Sequence, residues 1–365
     1  MRNDLSLLYL SEQDTSTAGA NNMLACVATM EETMRLLAAG DYVMGGPNRN
    51  SHGIKLHFYP QSAFPRMPLA GPDRRFMALI GYLGGDFHVC GMKWYGSNRA
   101  NLELGLPRSI LTLMLNDPET GLPLCIMSGS LISSMRTGAM AALGAKHLAR
   151  TGASVLTQIG VGTIGHACCE AILSSCPQIN ELRIVSFSGK TAIDAANEFS
   201  SRFDIQAQAY SDISEAVRGA DIISFANSGP AKPTLKREWL SPGSTVLASA
   251  DFLMNPADLG TMTIAVDNWK MYEAYERDLQ AFSPEERGSC GDLIDVLIRE
   301  VKNNTISQEK IVHLGQVIAG KTHIDRREEP LLLVLDGMCV EDLAWGYKVF
   351  QNAQAKGIGL SLPLF

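Results

Sequence analysis

The 365-residue chain lacks any basic excess: 31 Lys and Arg stand against 38 Asp and Glu, a formal net charge of -7. Nucleic acids and anionic membranes normally require a basic face, so neither is an expected partner. Metal-ligand spacing is absent too, since the eight cysteines make no C-x-x-C pair and the seven histidines no H-x-x-x-H. No bound metal is expected, and the cysteines read as thiols in a reducing compartment. No stretch approaches the roughly 18 apolar residues of a membrane span. The opening "MRNDLSLLYL" holds an apolar run too short and interrupted for a signal peptide. Internal repeats and low-complexity tracts are also missing. These absences leave a cytoplasmic enzyme that acts on a small molecule as the expectation.

With 46% hydrophobic and 19% charged residues, the chain is long enough for two cores. Residues 22–38, "NMLACVATMEETMRLLA", place apolar side chains at helical spacing. A loop dense in Gly, Pro and Asn follows, and then "FMALIGYL", "HVCGMKWYG", "SILTLMLND" and "PLCIMSG" read as strands, the last two joined through the turn "NDPETG". From Ser130 the pattern changes to a long Ala-rich helix with a Ser-rich start. The short runs "SVLTQIG", "ELRIVSFS", "IQAQAY", "ADIISFAN", "STVLASA" and "TIAVDN" come next, with helical segments between the early ones. Such alternation predicts βαβ units and a mostly parallel sheet. After residue 290, "CGDLIDVLIREV" and "EDLAWGYKVFQNAQAKG" read as helices around the strand-like "PLLLVLD". The fold expected is α/β. A βαβ unit with a mostly parallel sheet is expected over 131–324, and an α+β unit, to which the C-terminal stretch returns, over 1–130 and 325–365.

The stretch "TQIGVGTIGH" carries Gly160, Gly162 and Gly165 in G-x-G-x-x-G spacing, after an apolar strand and before a helix. That context allows a tight turn, backbone approach to a pyrophosphate and close helix packing. Thr163 and Ile164, between the last two glycines, join the candidate cofactor contacts. An NAD site usually places an acid on the ribose about 20 residues further on. Here Ser188, Gly189 and Lys190 occupy the end of the second strand, with no Asp or Glu. Ser188 and Lys190 are able to donate to a 2′-phosphate, and a charge-assisted bond of roughly 1.5–3 kcal/mol favours NADP(H) roughly tenfold to a hundredfold. NADP(H) is therefore preferred over NAD(H), although a solvated turn lysine is the plainer reading of Lys190.

Outside this unit three cations stand in settings suited to a carboxylate. Lys93 in "GMKWYGSN" interrupts an apolar strand, where a buried ammonium is costly without an anionic partner. Arg136 in "SSMRTGA" begins the helix leading to the dinucleotide domain, and Arg49 in "GPNRNSHG" lies in a loop. Each alone also suits a surface or ion-paired position. Together they make a shared anion site credible. Arg108 in "GLPRS" and the pair Arg74 and Arg75 in "GPDRRF" remain open, as a second carboxylate contact or as solvated loop residues.

The stretches "GMKWYGSN", "GLPRS", "LNDPETGLPLCIMSGSLISSMRTGAMAALGAKHLA", "IGVGTIGH", "HLGQVIAG" and "LVLDGMCVEDLA" resemble the ornithine cyclodeaminase/mu-crystallin family over essentially the whole chain. "LNDPETG", "SLISSMRT" and "NAQAKGIG" resemble its opine-type branch, which includes the dehydrogenase that cleaves N-(2-amino-2-carboxyethyl)-glutamate to 2,3-diaminopropionate. The resemblance implies a homodimer, a split substrate-binding and dimerisation domain built from 1–130 and 325–365, and a Rossmann dinucleotide-binding domain over 131–324. By motif it implies that Arg49 and Arg136 hold a substrate carboxylate and that Lys93 sits beside the reacting carbon or its amino group. It also implies an acidic residue after the fifth Rossmann strand. Asp251 follows "STVLASA", but its spacing is displaced by about one residue from the cyclodeaminase pattern, so its catalytic role stays open.

Three activities are consistent with this pattern. The first is an NAD(P)-dependent oxidoreductase acting at the α-carbon C–N bond of an amino acid, opine or cyclic imine. The second is an ornithine-type cyclodeaminase, a lyase with no net redox change. The third is a non-catalytic NADPH- and ligand-binding protein of mu-crystallin type.

Overall fold

The computed structural model describes residues 5–228, 231–280, 292–324 and 328–364. Cys290 and the first residues of "CGDLIDVLIREV" lie outside them. The chain forms two compact units, one of Met1–Asn22, Ala39–Ser133 and Met338–Phe365, the other of Met23–Ala38 and Ser134–Gly337.

Alternating apolar and polar residues build the first unit's sheet. Its strands are β1 (Ser6–Leu10), β2 (Tyr42–Met44), β3 (Ile54–His57), β4 (Arg75–Leu83), β5 (Val89–Ser97), β6 (Ser109–Asn116), β7 (Pro123–Ser128) and β16 (Leu360–Pro363). The order is β16-β1-β7-β6-β5-β4-β2, with β3 also paired to β4. All pairings are antiparallel except β1 with β7. The "NDPETG" turn closes on Asp117, whose Oδ1 accepts from the Thr120 amide at 2.8 Å and its hydroxyl at 2.7 Å. The helix Cys339–Lys356 packs on one face, with Trp345 fully buried and donating to the Ala20 carbonyl at 3.2 Å. Close approach requires Gly91, because a Cβ there would meet the Met114 carbonyl and lie 2.6 Å from Leu343. The opposite face exposes Ile54, Leu56, Phe76, Ile80, Trp94 and Ile110, which register places side by side on β3 to β6.

The second unit holds β8 (Val155–Ile159), β9 (Glu181–Val185), β10 (Gln206–Tyr210), β11 (Ile222–Phe225), β12 (Thr245–Ala248), β13 (Thr263–Val266), β14 (Val312–His313) and β15 (Leu331–Val334). Every pairing is parallel, in the order β10-β9-β8-β11-β12-β15-β13-β14. β11, β12 and β15 are buried along their whole length, as continuous apolar strands of a sheet covered on both faces must be. Chain order reverses between β8 and β11, which makes the switch point of a doubly wound sheet.

This division differs from the one expected at 130 and 325 in two places. The helix Met23–Ala39 packs with the second unit: a Cβ on Gly315 would lie 2.8 Å from the Met34 carbonyl, and Gln316 and Lys321 donate to the Ala38 carbonyl at 3.2 and 3.0 Å. "PLLLVLD" pairs as β15 between β12 and β13, so the second unit runs to Gly337. The boundary at 325 itself falls outside the described residues. No helix among the described residues is long and apolar enough to cross a membrane. Among them seven cysteines stand outside any disulfide, and burial pushes the thiols of Cys125 and Cys168 up to about 12.

Candidate active site

In the second unit, β8 ends at Ile159 and the chain turns through Gly160, whose φ of +83° is the left-handed conformation that glycine adopts freely. A Cβ on Gly160 would lie 2.6 Å from Asn227 Cα, and one on Gly165 would strike the Gly160 carbonyl. Gly162 caps the helix Thr163–Ser175 and has no neighbour within 4 Å of its Cβ position. Turn, open backbone approach and tight helix packing are thus divided among the three glycines as a pyrophosphate loop needs. Gln158 Nε2 braces the turn by donating to the Gly160 carbonyl at 2.8 Å. Thr163 and Ile164 form the first turn of the helix, where unpaired amides and the helix dipole favour an anion.

β9 leads to Phe187, which is 95% exposed, and to Ser188, the N-cap of the helix Gly189–Phe203. Ser188, Gly189 and Lys190 are all exposed. Asn227, just past β11, donates from Nδ2 to the Asp251 carbonyl at 3.1 Å. The Asp251 carboxylate accepts from the Leu293 amide at 3.2 Å and lies 3.3 Å from Lys232 Nζ. Asp251 therefore stands at the carboxyl ends of the strands, beside the glycine turn, with its charge already engaged.

Arg136 is buried in the second unit, in the helix Ser130–Leu148, and its guanidinium lies against Gly337. Gly337 has φ +82°, and a Cβ there would collide with the guanidinium. The turn is held by Asp267, whose Oδ2 accepts from the Asp336 and Gly337 amides at 2.9 and 3.1 Å. Its Oδ1 accepts from the Asn268 amide at 2.7 Å and the Tyr272 hydroxyl at 2.9 Å. Burial pushes Asp267 up to about 6, with the Asp336 charge adding to the rise and the bonds from Gly337, Tyr272 and Asn268 opposing it.

In the first unit, Lys93 on β5 is buried, and its Nζ donates to Asp342 Oδ2 at 2.5 Å. The two side chains are 5% and 1% exposed. The anionic partner that a buried ammonium requires is thus supplied by the C-terminal helix, 249 residues further along the chain. Arg49 sits at φ +58° in the turn after β2, exposed, its carbonyl accepting from the Met44 amide at 2.9 Å. Asn50 beside it is buried and accepts from the Tyr42 hydroxyl at 2.6 Å. Arg108 precedes β6 and pairs with Asp73 at 3.1 Å, five register positions along the sheet from Lys93.

Sequence reading missed Asp342, Asp267, Gly337, Asn227 and Phe187. For Asp342 the available signal was an acidic pair, Glu341 and Asp342, inside the otherwise apolar "MCVEDLAW".

The model of the ornithine cyclodeaminase/mu-crystallin family matches residues 20–357. The N-((2S)-2-amino-2-carboxyethyl)-L-glutamate dehydrogenase of Staphylococcus aureus (strain NCTC 8325 / PS 47) is 28% identical over 98% of this chain and 99% of its own length. The alanine dehydrogenase of Archaeoglobus fulgidus is 30% identical over 75% of this chain and 80% of its own. Among solved structures, the Delta(1)-pyrroline-2-carboxylate reductase of Thermococcus litoralis, in complex with NADH and L-proline, superposes with a TM-score of 0.77 at 21% identity. It covers 98% of this chain and 100% of that one. An archaeal alanine dehydrogenase dimer with bound NAD gives a TM-score of 0.78 at 24% identity, over 99% and 100%.

Proposed function

The chain belongs to the ornithine cyclodeaminase/mu-crystallin family, and from that premise we propose that it is an NAD(P)-dependent oxidoreductase acting at the α-carbon C–N bond of an amino acid, opine or cyclic imine. The observation that carries the proposal is the glycine turn at the switch point between β8 and β11, in a chain that also buries the ammonium of Lys93. The named activities of the two dehydrogenases and the pyrroline-2-carboxylate reductase above are dehydrogenations and reductions of such compounds.

The residues present fit a dinucleotide. Gly160, Gly162, Thr163, Ile164 and Gly165 leave an open, amide-lined approach at a helix N-terminus. When bound there, a nicotinamide dinucleotide supplies the hydride acceptor or donor. Ser188 and Lys190, exposed and without an acid beside them, support a preference for the 2′-phosphate of NADP(H) over NAD(H), and Phe187 offers an aromatic surface to the adenine.

Arg49 and Arg136 are assigned to the substrate carboxylate. The guanidinium of Arg136 is buried and seated on Gly337, so it needs little further ordering to bind. Lys93 is assigned to the α-amino nitrogen, where it holds or moves a proton as the C–N bond changes order. Asp342 holds Lys93 in place. Asp251 enters as a charged group at the carboxyl ends of the strands, already engaged by Lys232 and the Leu293 amide. Its replacement by Asn is therefore expected to cost less turnover than loss of Lys93.

A homodimer joined through the exposed apolar face of β3 to β6 completes the proposal, and sedimentation of the purified protein tests it. Cysteines outside any disulfide among the described residues are in keeping with work in the cytoplasm. Enzymatic function is tested by titrating the protein with NADPH and NADH and then following 340 nm absorbance against amino acids, opines and mixtures of 2-oxo acids with amines. Cofactor binding without any absorbance change or ammonia release across that panel would contradict it.

A further inference from the structure

The sheet face that carries Lys93 on β5 is flanked by a second charged cluster at its far end. Successive residues alternate across a strand, so Lys93, Tyr95 and Ser97 share one face, about 7 and 13 Å apart along it. Register sets Arg75 on β4 and Ser109 on β6 beside Ser97. Asp73 lies over this row. It accepts from Ser97 Oγ at 2.5 Å and pairs with both Arg75 and Arg108, the latter at 3.1 Å. Arg75 also lies over the Tyr95 ring, 5.5 Å from its centroid, and the Tyr95 hydroxyl is 2.8 Å from Ser109 Oγ.

Two guanidiniums face one carboxylate here, leaving a surplus of one positive charge. The Arg75 and Arg108 side chains stay 21% and 38% exposed, so an anion from solvent has access to them. The phenol of Tyr95 reports the same field. Burial pushes it up, yet the Arg75 charge, the bonds with Ser109 and Ser97 and the Arg108 charge outweigh burial and leave it below its usual range.

We propose that Arg75 and Arg108 form a second carboxylate subsite, so that the preferred substrates are amino acids or opines bearing another carboxylate several bonds from the reacting α-carbon. The spacing from Lys93 suits a substrate whose two ends span the row through Tyr95. The inference rests on the assignment of Lys93 to the reacting end.

The test is steady-state kinetics of the full chain on the opine N-(2-amino-2-carboxyethyl)-glutamate and on the same compound with its γ-carboxylate as the amide. The expected result is a kcat/KM at least tenfold higher for the acid, carried mainly by KM, with that ratio collapsing toward one in Arg108→Gln. A ratio near one in the native protein, or an unchanged ratio in Arg108→Gln, overturns the subsite. Lys93→Met separates the two readings. If it retains full turnover, the reacting end is misassigned; if it loses turnover while the ratio is insensitive to Arg108, only the subsite fails. Should Arg108→Gln not fold, phenolate absorbance of the native protein, with Tyr95→Phe subtracted, gives a second measurement. A carboxylate arriving beside the two guanidiniums raises the titration midpoint of Tyr95, and no shift with saturating acid overturns the proposal.

Discussion

Replacing Asp342 by Asn tests the Lys93 pair directly. The two groups are 5% and 1% exposed and 2.5 Å apart, so little solvent screens them. Removing one partner of such a pair leaves an uncompensated buried charge and typically costs about 3–5 kcal/mol. An exposed pair such as Arg35 with Glu31, where the arginine is 46% exposed, is worth about 0.2–1 kcal/mol. A loss of about 3–5 kcal/mol is a large part of the 5–15 kcal/mol that usually stabilises a domain. Urea unfolding of the native protein, Asp342→Asn, Lys93→Met and the double variant measures it. Each single variant is expected to lose several kcal/mol. The double variant is expected to lose less than their sum, because no charge is then left unpaired. Additive losses, or a loss in Asp342→Asn below about 1 kcal/mol, would refute the pairing. In activity, Lys93→Met should abolish turnover and spare cofactor binding.

The seat of Arg136 makes a separate prediction. Gly337→Ala forces a Cβ into the guanidinium at a positive φ, and KM for the substrate is expected to rise tenfold or more, with cofactor affinity unchanged. An unchanged KM in steady-state assays would remove Arg136 from the carboxylate site. Asp267 gives a pH signature. Its folded-state pKa is raised from 3.8 to about 6, so its contribution to stability is fully present below 3.8 and is lost as pH rises through 6. That difference is worth about 3 kcal/mol, and Asp267→Asn should flatten the corresponding fall between pH 4 and 7 in urea titrations. A parallel pH dependence in the two proteins would show that Asp267 is not the group. Finally, Lys190→Glu places a negative charge where the 2′-phosphate is expected. Fluorescence titration should then show NADPH affinity falling at least tenfold relative to NADH, and an unmoved ratio would contradict the assignment of Ser188 and Lys190.

Much of the fold was legible because its signals are local. The period-two runs of β4 to β7 and the continuous apolar runs of β11, β12 and β15 state their own burial, and G-x-G-x-x-G states its turn. Lys93 was legible as a buried cation because an ammonium inside an apolar strand demands an explanation. Its partner was not, since Asp342 comes from a helix 249 residues away that only the fold brings onto β5. The helix Met23–Ala39 shows the same limit. Its apolar stripe announces a buried face without naming what covers it, and the cover is Gly315 and its neighbours in the second unit. The parallel seat of β1 beside β7, with β16 on its other edge, depends on long-range pairing in the same way. Gly337 matters through what it leaves room for, and that is visible only with Arg136 beside it.

The central claim is that the chain performs net redox chemistry at an amino-acid C–N bond. Its most direct test is to quantify reduced nicotinamide, 2-oxo acid and ammonia or amine together in one reaction with the substrate chosen by the 340 nm screen. The account predicts one reduced nicotinamide formed for each C–N bond oxidised, with the ratio held throughout the time course. Ammonia released with a cyclic imino acid and no net reduced nicotinamide would contradict it and identify the protein as a cyclodeaminase.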